Sequence, residues 1–298
     1  MNKLKQWYKK QLRHEWTLGF VENGLDGVFS DKPKYVWVKN PYAEECWFAD
    51  PFILDVTDTT ITLLVEEMRY AVHVGRIAKL TIDRGTMAIT DMKIILEEPT
   101  HLSFPNILRE NGKIYVYPEN HDSGELNLYE YDEGKEQLVK VRTLCKQPLT
   151  DAVMTDVFGK RQIYSTQMPN PNGNVLNVYE ANENGVFIQS LSISFADKHA
   201  RMAGQFFTYK GKIYRPAQDC NKVYGGAVVI EDVQFGADKI QIHYVKTLKS
   251  THPVLRKGMH TLNECNGVVV IDVHGYRYFV GRATNLLVRI KKRLFDVC

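Results

Sequence analysis

One short hairpin-like segment recurs along this chain, and the recurrence restricts the fold more than any local pattern does. Each copy has an apolar strand, a turn and a second apolar strand, as in Asn111-Gly112-Lys113-Ile114-Tyr115 and Lys210-Gly211-Lys212-Ile213-Tyr214. Looser copies turn at Thr59-Thr60, Phe158-Gly159-Lys160 and Asn266-Gly267. Equating positions 60, 112, 159, 211 and 267 gives spacings of 52, 47, 52 and 56 residues. Because further strand-like runs follow each hairpin, this period is typical of a β-propeller blade.

The sequence therefore predicts an all-β fold, a five-bladed β-propeller with antiparallel four-stranded blades and short terminal helices or tails. Strand-like segments at 16–21 and 35–38 precede the first hairpin, and we expect them to complete the last blade and close the ring. The signatures of tryptophan-aspartate and kelch repeats are absent. The predicted organisation is a basic N-terminal segment (1–15), a propeller domain (16–283) and a basic C-terminal tail (284–298).

Composition excludes several classes of protein. Of the 298 residues, 44% are hydrophobic and 24% are charged, which is typical of a globular chain with a sizeable core. A net charge of +3, without a zinc-finger spacing or an arginine-rich tract, argues against a nucleic-acid partner. The cysteines are widely spaced, so we expect neither disulfides nor a zinc site; they are Cys46, Cys145, Cys220, Cys265 and Cys298. Without a secretory signal or a long apolar run, the sequence predicts a cytoplasmic location.

Basic residues collect near the two ends of the chain, interleaved with apolar ones. The N-terminal set is Lys3, Lys5, Lys9, Lys10 and Arg13 around Leu4, Trp7, Tyr8 and Leu12. The C-terminal set is Arg289, Lys291, Lys292 and Arg293 beside Leu286, Leu287, Ile290 and Leu294. We favour solvated terminal helices packed on the domain. The alternative is a pair of amphipathic helices lying on the inner face of an anionic membrane, which would make the protein peripheral.

Polar residues recur where the hairpins begin and end. In an antiparallel hairpin the start of the first strand and the end of the second lie at the same rim. The residues at strand starts are Asp50, His101, Asp151, Arg201 and His260, and those at strand ends are Glu67, Glu119, Thr166 and Gln218, with Asp219 beside the last. Because the first strands line the axis, we expect a polar cluster at one mouth of the channel.

This cluster could bind a hydroxyl-rich or charged ligand. Two carboxyl groups on either side of a glycosidic oxygen could act as proton donor and as nucleophile or base. The alternative is that these residues only cap turns or form ion pairs. His260 could hold a water or a cation at the axis. We predict no resident metal and no cofactor.

Six motifs, in order along the chain, resemble the N-terminal domain of plant glucosamine inositolphosphorylceramide transferase, which has stand-alone bacterial relatives among genes for surface polysaccharides. They are Ala49-Asp50-Pro51-Phe52, Glu66-Glu67, His101-Leu102-Ser103-Phe104-Pro105, Tyr117-Pro118-Glu119-Asn120, Arg215-Pro216-Ala217-Gln218-Asp219-Cys220 with Tyr224-Gly225, and His260-Thr261-Leu262-Asn263. The resemblance covers roughly residues 16–282. That domain in turn resembles the five-bladed propellers of glycoside hydrolases and phosphorylases of the arabinanase and invertase type.

The resemblance implies roles for individual residues. Asp50 would be a catalytic carboxylate, Asp151 a helper that orients or tunes the acid, and Glu119 the general acid, although the hydrolases usually draw that acid from a later blade. The predicted substrate-binding residues, from the rim positions and these motifs together, are Glu67, His101, Arg201, Arg215, Gln218, Asp219, His260, Thr261 and Asn263. Arg201 and Arg215 would steady an anionic donor or sugar. The implied partner is a sugar or glycan, either nucleotide-linked or lipid-linked.

Three functions remain open from the sequence. The favoured one is a glycosyltransferase-like enzyme that forms or rearranges glycosidic bonds in surface polysaccharide or glycolipid biosynthesis. The second is a glycoside hydrolase or phosphorylase on the same scaffold. The third is a non-catalytic propeller that binds glycan or scaffolds partner enzymes. The Asp-x-Asp signature of many nucleotide-sugar transferases and a glycine-rich phosphate loop are both absent.

Overall fold

The molecule is a five-bladed β-propeller, which confirms the predicted fold. The computed structural model describes residues 3–235 and 240–295, and within them twenty strands form five four-stranded antiparallel sheets. Before the first complete blade, the chain forms α1 (Lys3–Gln11), β1 (His14–Val21), α2 (Gly24–Phe29) and β2 (Tyr35–Trp37).

The next four blades follow one another along the chain. The first contains β3 (Cys46–Val56), β4 (Thr60–Arg69), β5 (Arg76–Asp83) and β6 (Ala88–Leu96). The second contains β7 (Ser103–Glu110), β8 (Lys113–Glu119), β9 (Leu126–Asp132) and β10 (Gln137–Cys145), with a 3-10 turn at His121–Ser123. The third contains β11 (Leu149–Thr155), β12 (Gln162–Gln167), β13 (Val175–Ala181) and β14 (Phe187–Ser194). The fourth contains β15 (Phe207–Tyr209), β16 (Lys212–Gln218), β17 (Val228–Phe235) and β18 (Ile240–Leu248).

The fifth blade closes the ring with both parts of the chain. Its strand order is β19 (Leu262–Cys265), β20 (Val268–Tyr276), β1 and β2, so the early strands complete the last sheet as predicted. Antiparallel pairing runs from His14 opposite Tyr276 to Phe20 opposite Val270. Closure of this kind removes the exposed edges that an open sheet would present.

Glycine shapes the repeated hairpin turns. Asn111 and Gly112 have φ values of 52° and 73°, and Asn266 and Gly267 have 51° and 77°. Two successive residues with positive φ form the type I′ turn, whose twist matches that of the flanking strands. The first blade instead turns at Thr57–Thr60, where the Thr57 hydroxyl accepts from the Thr60 amide at 2.9 Å. The repeated turn chemistry is therefore local and readable from the sequence.

A bulge interrupts the first hairpin of the first three blades at the same place. The strand register shifts between Ala49 and Phe52, between Ser103 and Asn106, and between Thr150 and Val153. Within these bulges Asp50, Phe104 and Asp151 have φ values of 52°, 45° and 47°. Such conformations are strained for residues other than glycine and persist only where surrounding contacts hold them. The bulges bend the inner strands and orient their amides, as bulges beside functional sites often do.

Apolar side chains fill the spaces between neighbouring blades. Phe52, at the end of the first bulge, and Phe104, within the second, pack edge to face with ring centroids 4.9 Å apart. The first strands of neighbouring blades lie beside one another, β3 with β7 and β19, and β7 with β11. The inner strands therefore surround the axis, as predicted.

The chain continues after the propeller as α3 (Phe279–Phe295). This helix begins inside the range predicted for the propeller domain and runs on into the predicted tail. Among residues 3–235 and 240–295, no helix combines the length and apolar character needed to cross a membrane.

Candidate functional site at the propeller axis

Seven buried polar residues meet at one mouth of the axis, and we call them the axial cluster. Six were predicted and one, Asp272, was not. The members are Asp50, Glu119, Asp151, Arg201, Gln218, His260 and Asp272. They come from all five blades or from the loops that lead into them. Each blade brings either the start of its first strand or part of its second strand to the axis.

The bulges explain how carboxylates reach the axis and stay there. The amide of Asp50 donates to Asp272 Oδ2 at 2.9 Å, the amide of Phe104 donates to Asp50 Oδ2 at 3.1 Å, and the amide of Asp151 donates to Glu119 Oε2 at 2.7 Å. In each case a carboxylate of one blade accepts from the bulge of the next. The axial carboxylates therefore join neighbouring blades, besides any chemistry they perform.

One half of the axial cluster is a triad of Asp50, His260 and Asp272. His260 Nδ1 lies 2.8 Å from Asp272, and His260 Nε2 lies 3.3 Å from Asp50 Oδ1. Asp272 Oδ1 also accepts from the amides of His260 and Thr261 at 3.2 and 3.0 Å. Burial disfavours the charged imidazole, but Asp272 and Asp50 outweigh burial and raise the pKa of His260 to about 9.

The two carboxyl groups of the triad differ. Burial raises the pKa of Asp50 well above its usual value, although His260 opposes this. Burial also acts on Asp272, but His260 and the backbone amides outweigh it and lower the pKa of Asp272. The arrangement fits an imidazolium paired with an ionised Asp272, beside an Asp50 that retains its proton more readily.

The other half of the axial cluster is built around Arg201. Its Nε donates to Asp151 Oδ2 at 2.5 Å and its Nη2 to Glu119 Oε2 at 3.4 Å. Gln218 Nε2 also donates to Asp151 Oδ2, at 2.5 Å. Burial and the charge of Glu119 raise the pKa of Asp151 to about 7 despite Arg201. Burial also opposes ionisation of Glu119, but Arg201 and His121 outweigh it and lower the pKa of Glu119 to about 2.

The two halves together carry nearly balanced charge at neutral pH. His260 and Arg201 are positive, Asp272 and Glu119 are negative, and the pKa values of Asp50 and Asp151 are raised. Two carboxyl groups whose surroundings shift their pKa values in opposite directions are the usual arrangement for a proton donor and its ionised partner. Asp151 and Glu119 form such a pair around one guanidinium.

Within the described residues, Asp50, His260 and Asp272 also have a geometry that could hold a cation. One ligand atom from each lies within 4.8 Å of the others. Both ring nitrogens of His260, however, face carboxylates, and an imidazolium supplies the positive charge that these carboxylates require. We therefore assign the three side chains to an ion-paired triad.

Several buried polar atoms in or beside the axial cluster have no aligned hydrogen-bond partner within the protein. They include Asp50 Oδ1, Gln218 Oε1 and the hydroxyl of Thr261. An unpaired buried polar group costs about 1–3 kcal/mol, so native structures rarely leave one without a purpose. Their concentration at the axial cluster indicates a place where a polar ligand or water completes the hydrogen bonding.

Aromatic and partly exposed side chains surround the mouth. The ring of Tyr224 lies edge-on to His260 with centroids 5.4 Å apart, and Arg201 lies 5.0 Å from its centroid. Tyr224 is 39% exposed and lies beside the cluster. Trp16 also packs on His260, with ring centroids 4.2 Å apart, and lies 6.4 Å from the Tyr224 ring. His121, whose Nδ1 lies 2.7 Å from Glu119 Oε1, is also partly exposed.

A groove in the third blade adjoins the cluster. It has a volume of about 680 Å³ and is lined mainly by Gln167–Val175, together with Asn177 and Lys198. Asn172, in its wall, accepts from Arg201 Nη1 at 3.1 Å. The groove is therefore connected to the axial cluster through one side-chain contact.

The structure places four predicted site residues outside the axial cluster. Glu67 is fully buried and pairs with Arg69 and Arg76 on its own blade. Arg215 is fully buried and bonded to Glu231 and to the carbonyl oxygens of His199 and Ala200. Asp219 accepts from the amide and side chain of Asn221 in a turn. Asn263 donates to the Pro51 carbonyl and accepts from the Gln205 amide, joining three blades.

His101 and Thr261 lie beside the cluster. His101 Nδ1 accepts from the Gly75 amide at 3.0 Å, and its Nε2 lies 3.2 Å from Glu66 Oε1. Burial lowers the pKa of His101, but Glu66 outweighs burial and raises it. Thr261 contacts the cluster through its amide.

Glu66, and not Glu67, occupies the position equivalent to Glu119. Ala49 pairs with Glu66, Ser103 with Glu119, and Thr150 with Thr166, and each first partner immediately precedes the positive-φ bulge residue. The first blade has a different turn, so aligning its threonines with the glycines of the other copies shifts the register by one residue. Since neighbouring residues in a strand face opposite sides, that shift exchanges an axial side chain for an outward one.

Sequence reasoning also missed Asp272, Tyr224, His121 and Gln205. The sequence did contain a signal for Asp272. This residue is a lone carboxylate within the apolar run Val268–Val273 and would be buried there. Gln205 had no such signal. Its Nε2 donates to Asn106 Oδ1 at 2.7 Å and to the Ile107 carbonyl at 2.8 Å, so it crosses the axis from the fourth blade to the second.

Comparisons with known proteins agree with this architecture. Among solved structures, the RS223 β-xylosidase superposes with a TM-score of 0.55 at 9% identity, covering 78% of this chain and 93% of that one. A GH43_1 enzyme from Xanthomonas citri gives a TM-score of 0.51 at 13% identity, covering 77% and 87%. At these identities the similarity establishes the five-bladed fold.

Sequence comparison is more specific. A protein named glucosamine inositolphosphorylceramide transferase 1 from Arabidopsis thaliana is 28% identical over 254 residues, covering 74% of this chain and 32% of that protein. Its namesake from Oryza sativa subsp. japonica is 25% identical over 203 residues, covering 62% and 26%. The chain thus spans a third or less of these relatives. Residues 38–264 match the family model described as glucosamine inositolphosphorylceramide transferase 1, N-terminal. The chain therefore belongs to the family defined by the N-terminal domain of glucosamine inositolphosphorylceramide transferase 1.

Proposed function

We propose that the protein is a carbohydrate-active enzyme that forms or rearranges a glycosidic bond at the axial cluster. The observation that carries this proposal is the pair of Glu119 and Asp151 on either side of Arg201, in which the pKa of Glu119 is lowered to about 2 and that of Asp151 is raised to about 7. The proposal extends to assembly of a surface polysaccharide or glycolipid on the cytoplasmic side of a membrane, where nucleotide-activated sugars are available.

The roles follow from the protonation states. Asp151 can give or take a proton near neutral pH, because its pKa lies close to the working pH, as efficient proton transfer requires. Glu119 remains ionised and can stabilise positive charge that develops on a sugar carbon. Arg201 can pair with an anionic leaving group or donor. This assignment makes Asp151, rather than Glu119, the proton donor.

Asp50 and His260 would support this chemistry from the other half of the cluster. Asp50 Oδ1 is buried and has no aligned hydrogen-bond partner, so a sugar hydroxyl could donate to it. The partly exposed Tyr224 beside the cluster could pack against the apolar face of a sugar ring. The groove next to Arg201 has room for further sugar units. The names of the curated relatives suggest an amino sugar as the transferred group and a phosphate-linked lipid as the acceptor.

A non-catalytic glycan-binding propeller is the second candidate. It is favoured by the bonds that Asp50, Glu119 and Asp272 accept from backbone amides, since these bonds alone would justify buried carboxylates. A hydrolase or phosphorylase is the third, because paired carboxyl groups also serve those reactions.

The deciding experiment uses purified full-length protein with radiolabelled nucleotide sugars, including UDP-N-acetylglucosamine, and a phosphate-linked lipid acceptor. Asp151→Asn should lower turnover about 10²- to 10⁴-fold, the usual contribution of a general acid or base. Asp156→Asn, in the exposed turn of the same blade, is the matched control and should leave turnover unchanged.

Each outcome has a distinct meaning. Label transferred to water or phosphate, instead of the lipid, would identify the hydrolase or phosphorylase. Sugar binding by calorimetry without turnover of any substrate would identify the binding propeller. Full turnover by folded Asp151→Asn would contradict the role assigned to this residue.

A further inference from the structure

The two terminal helices expose an unusual amount of apolar surface. On α1, Trp7 and Tyr8 are 55% and 52% exposed. On α3, exposure ranges from 49% at Val288 to 81% at Phe279, with Leu286 and Leu287 between them. Helices of a globular protein normally direct such side chains toward the core. The exposed apolar side chains of the two helices therefore indicate a binding partner outside the propeller.

The orientation of α3 explains the exposure. The side of the helix that faces the propeller is small or polar. Gly281 packs against the Gln11 carbonyl and Tyr276, Asn285 Nδ2 donates to Tyr276 Oη at 3.2 Å, and Arg282 Nε donates to the Tyr276 carbonyl at 2.8 Å. Phe279, Leu286 and Leu287 of the same helix are exposed. Thus the bonds and contacts given above for α3 are made by small or polar residues, while its large apolar side chains at 279 and 286–288 are exposed.

The two helices lie together and at a defined rim. They contact each other, and α1 leads into β1 while α3 follows β20, whose pairing begins at His14 and Tyr276. Tyr276 ends the second strand of its blade, as Glu119 and Gln218 end theirs. The helices are therefore at the same rim of the propeller as the axial cluster. His14 Nε2 also lies 2.8 Å from His274 Nδ1, and Trp16 stacks on both His274 and His260.

Charge identifies the kind of partner. Neither helix contains an acidic residue, and the sequence of the two helices includes Lys3, Lys5, Lys9, Lys10, Arg282, Arg289, Lys291, Lys292 and Arg293. The side chains of Lys3, Lys5 and residues 289–298 lie outside the part of the chain that the structure describes. Exposed Trp, Tyr and Leu next to lysine and arginine are the combination that binds the surface of an anionic bilayer.

We propose that α1 and α3 form one docking surface for an anionic lipid bilayer, and that docking turns the rim bearing the axial cluster toward the membrane. This proposal does not depend on the proposed chemistry, because the docking surface would bind membranes whether or not the axial cluster is catalytic. It would bring lipid-borne molecules to the mouth of the propeller. Trp7, Tyr8 and Leu287 would insert at headgroup depth. The basic residues would lie at the phosphates, except Lys10 and Arg282, which are bonded within the protein.

The test is flotation of the full chain with vesicles of phosphatidylcholine alone or mixed with phosphatidylglycerol. Binding to the anionic vesicles should be at least tenfold stronger than to neutral ones and should weaken in about 0.5 M salt. Leu286→Glu combined with Leu287→Glu should lower anionic binding by about tenfold or more. Val139→Glu combined with Val141→Glu, two exposed valines on β10, is the matched control and should bind like the wild type.

Circular dichroism and thermal melting establish that both double variants remain folded. Equal binding to neutral and anionic vesicles, or unchanged binding of folded Leu286→Glu/Leu287→Glu, would overturn the proposal. Absence of vesicle binding together with a dimer, seen by sedimentation and lost in that variant, would also overturn it and assign the surface to a second copy of the chain.

Discussion

Buried charged residues in this propeller differ in how completely they are paired. Arg215 is fully buried and bonded to the Glu231 carboxylate and two carbonyl oxygens, all within its own blade. Asp50, by contrast, has one carboxyl oxygen bound by the Phe104 amide and one without an aligned partner. Complete pairing indicates a structural role, whereas an unsatisfied buried atom next to other titrating groups indicates a site for chemistry.

Replacement of Arg215 tests this distinction. Arg215→Ala leaves Glu231 buried without its counter-ion, so the free energy of unfolding should fall by about 3–5 kcal/mol in urea denaturation. Arg142→Ala is the control, since exposed Arg142 bonds only the Gly185 carbonyl and should change stability by about 0.5 kcal/mol or less. A stable Arg215→Ala protein with impaired sugar binding would instead support a role for Arg215 in the site.

His260 should make the free energy of unfolding depend on pH in the alkaline range. Its folded pKa of about 9 exceeds the ordinary value of 6.5, so its stabilisation is complete below pH 6.5 and is lost as pH rises through 9. Urea denaturation should show a loss of up to about 3 kcal/mol between these pH values, since each pKa unit corresponds to about 1.4 kcal/mol. His260→Gln should remove this dependence, and exposed His243→Gln should keep it. An identical pH profile in wild type and His260→Gln would contradict the triad.

The bulged inner hairpins are the elements that connect structure to site. Each bulge directs an amide toward the axis, and a carboxylate of the neighbouring blade accepts from it. Asp272 accepts from the bulge amide of Asp50, and so joins the last blade to the first, and also from the amides of His260 and Thr261 of its own blade. The axial carboxylates therefore help to hold the bulges in their strained backbone conformation, and the bulge amides in turn stabilise the charge of the carboxylates.

Removal of the Asp272 carboxylate should loosen this junction. Asp272→Ala leaves three buried amides and His260 Nδ1 without an acceptor, so the free energy of unfolding should fall by about 3–5 kcal/mol. Hydrogen exchange at the amides of Asp50 and Thr261 should accelerate. Asp232→Ala, also at a buried strand position but bonded to side chains alone, should cost about 1 kcal/mol. Equal losses in the two variants would argue against a special role for Asp272.

At the scale of the whole molecule, ring closure depends on β1 and β2. The fifth sheet pairs β1 with β20, so the first and last parts of the propeller form one blade. A protein lacking residues 1–37 should therefore lose its cooperative thermal transition, because two blades would be left with unpaired or uncovered strands. A protein lacking residues 1–11 keeps β1 and should melt cooperatively. It should also bind anionic vesicles more weakly. Cooperative melting of both proteins would show that closure is dispensable.

The extent to which the sequence predicted this protein can be traced to particular residues. The hairpin period, the closing strands and the axial positions of Asp50, Glu119, Asp151, Arg201 and His260 followed from repeated turns and from antiparallel geometry. These features could be predicted because the strands and the turn of one hairpin lie close together in the chain. The first blade was misregistered because its turn contains threonines instead of glycine, and Glu67 was chosen where Glu66 faces the axis.

What the sequence by itself determined is thus the blade, its repetition and the rim on which polar residues collect. The partners of those residues were decided only by the tertiary structure. Asp50 and Asp272 are 222 positions apart, and Gln205 reaches Asn106 across 99. A pattern within one repeat carries no information about such pairs, because they meet only when the ring closes. The same closure buries the carboxylates together, and burial and proximity are what separate the pKa values of Glu119 and Asp151.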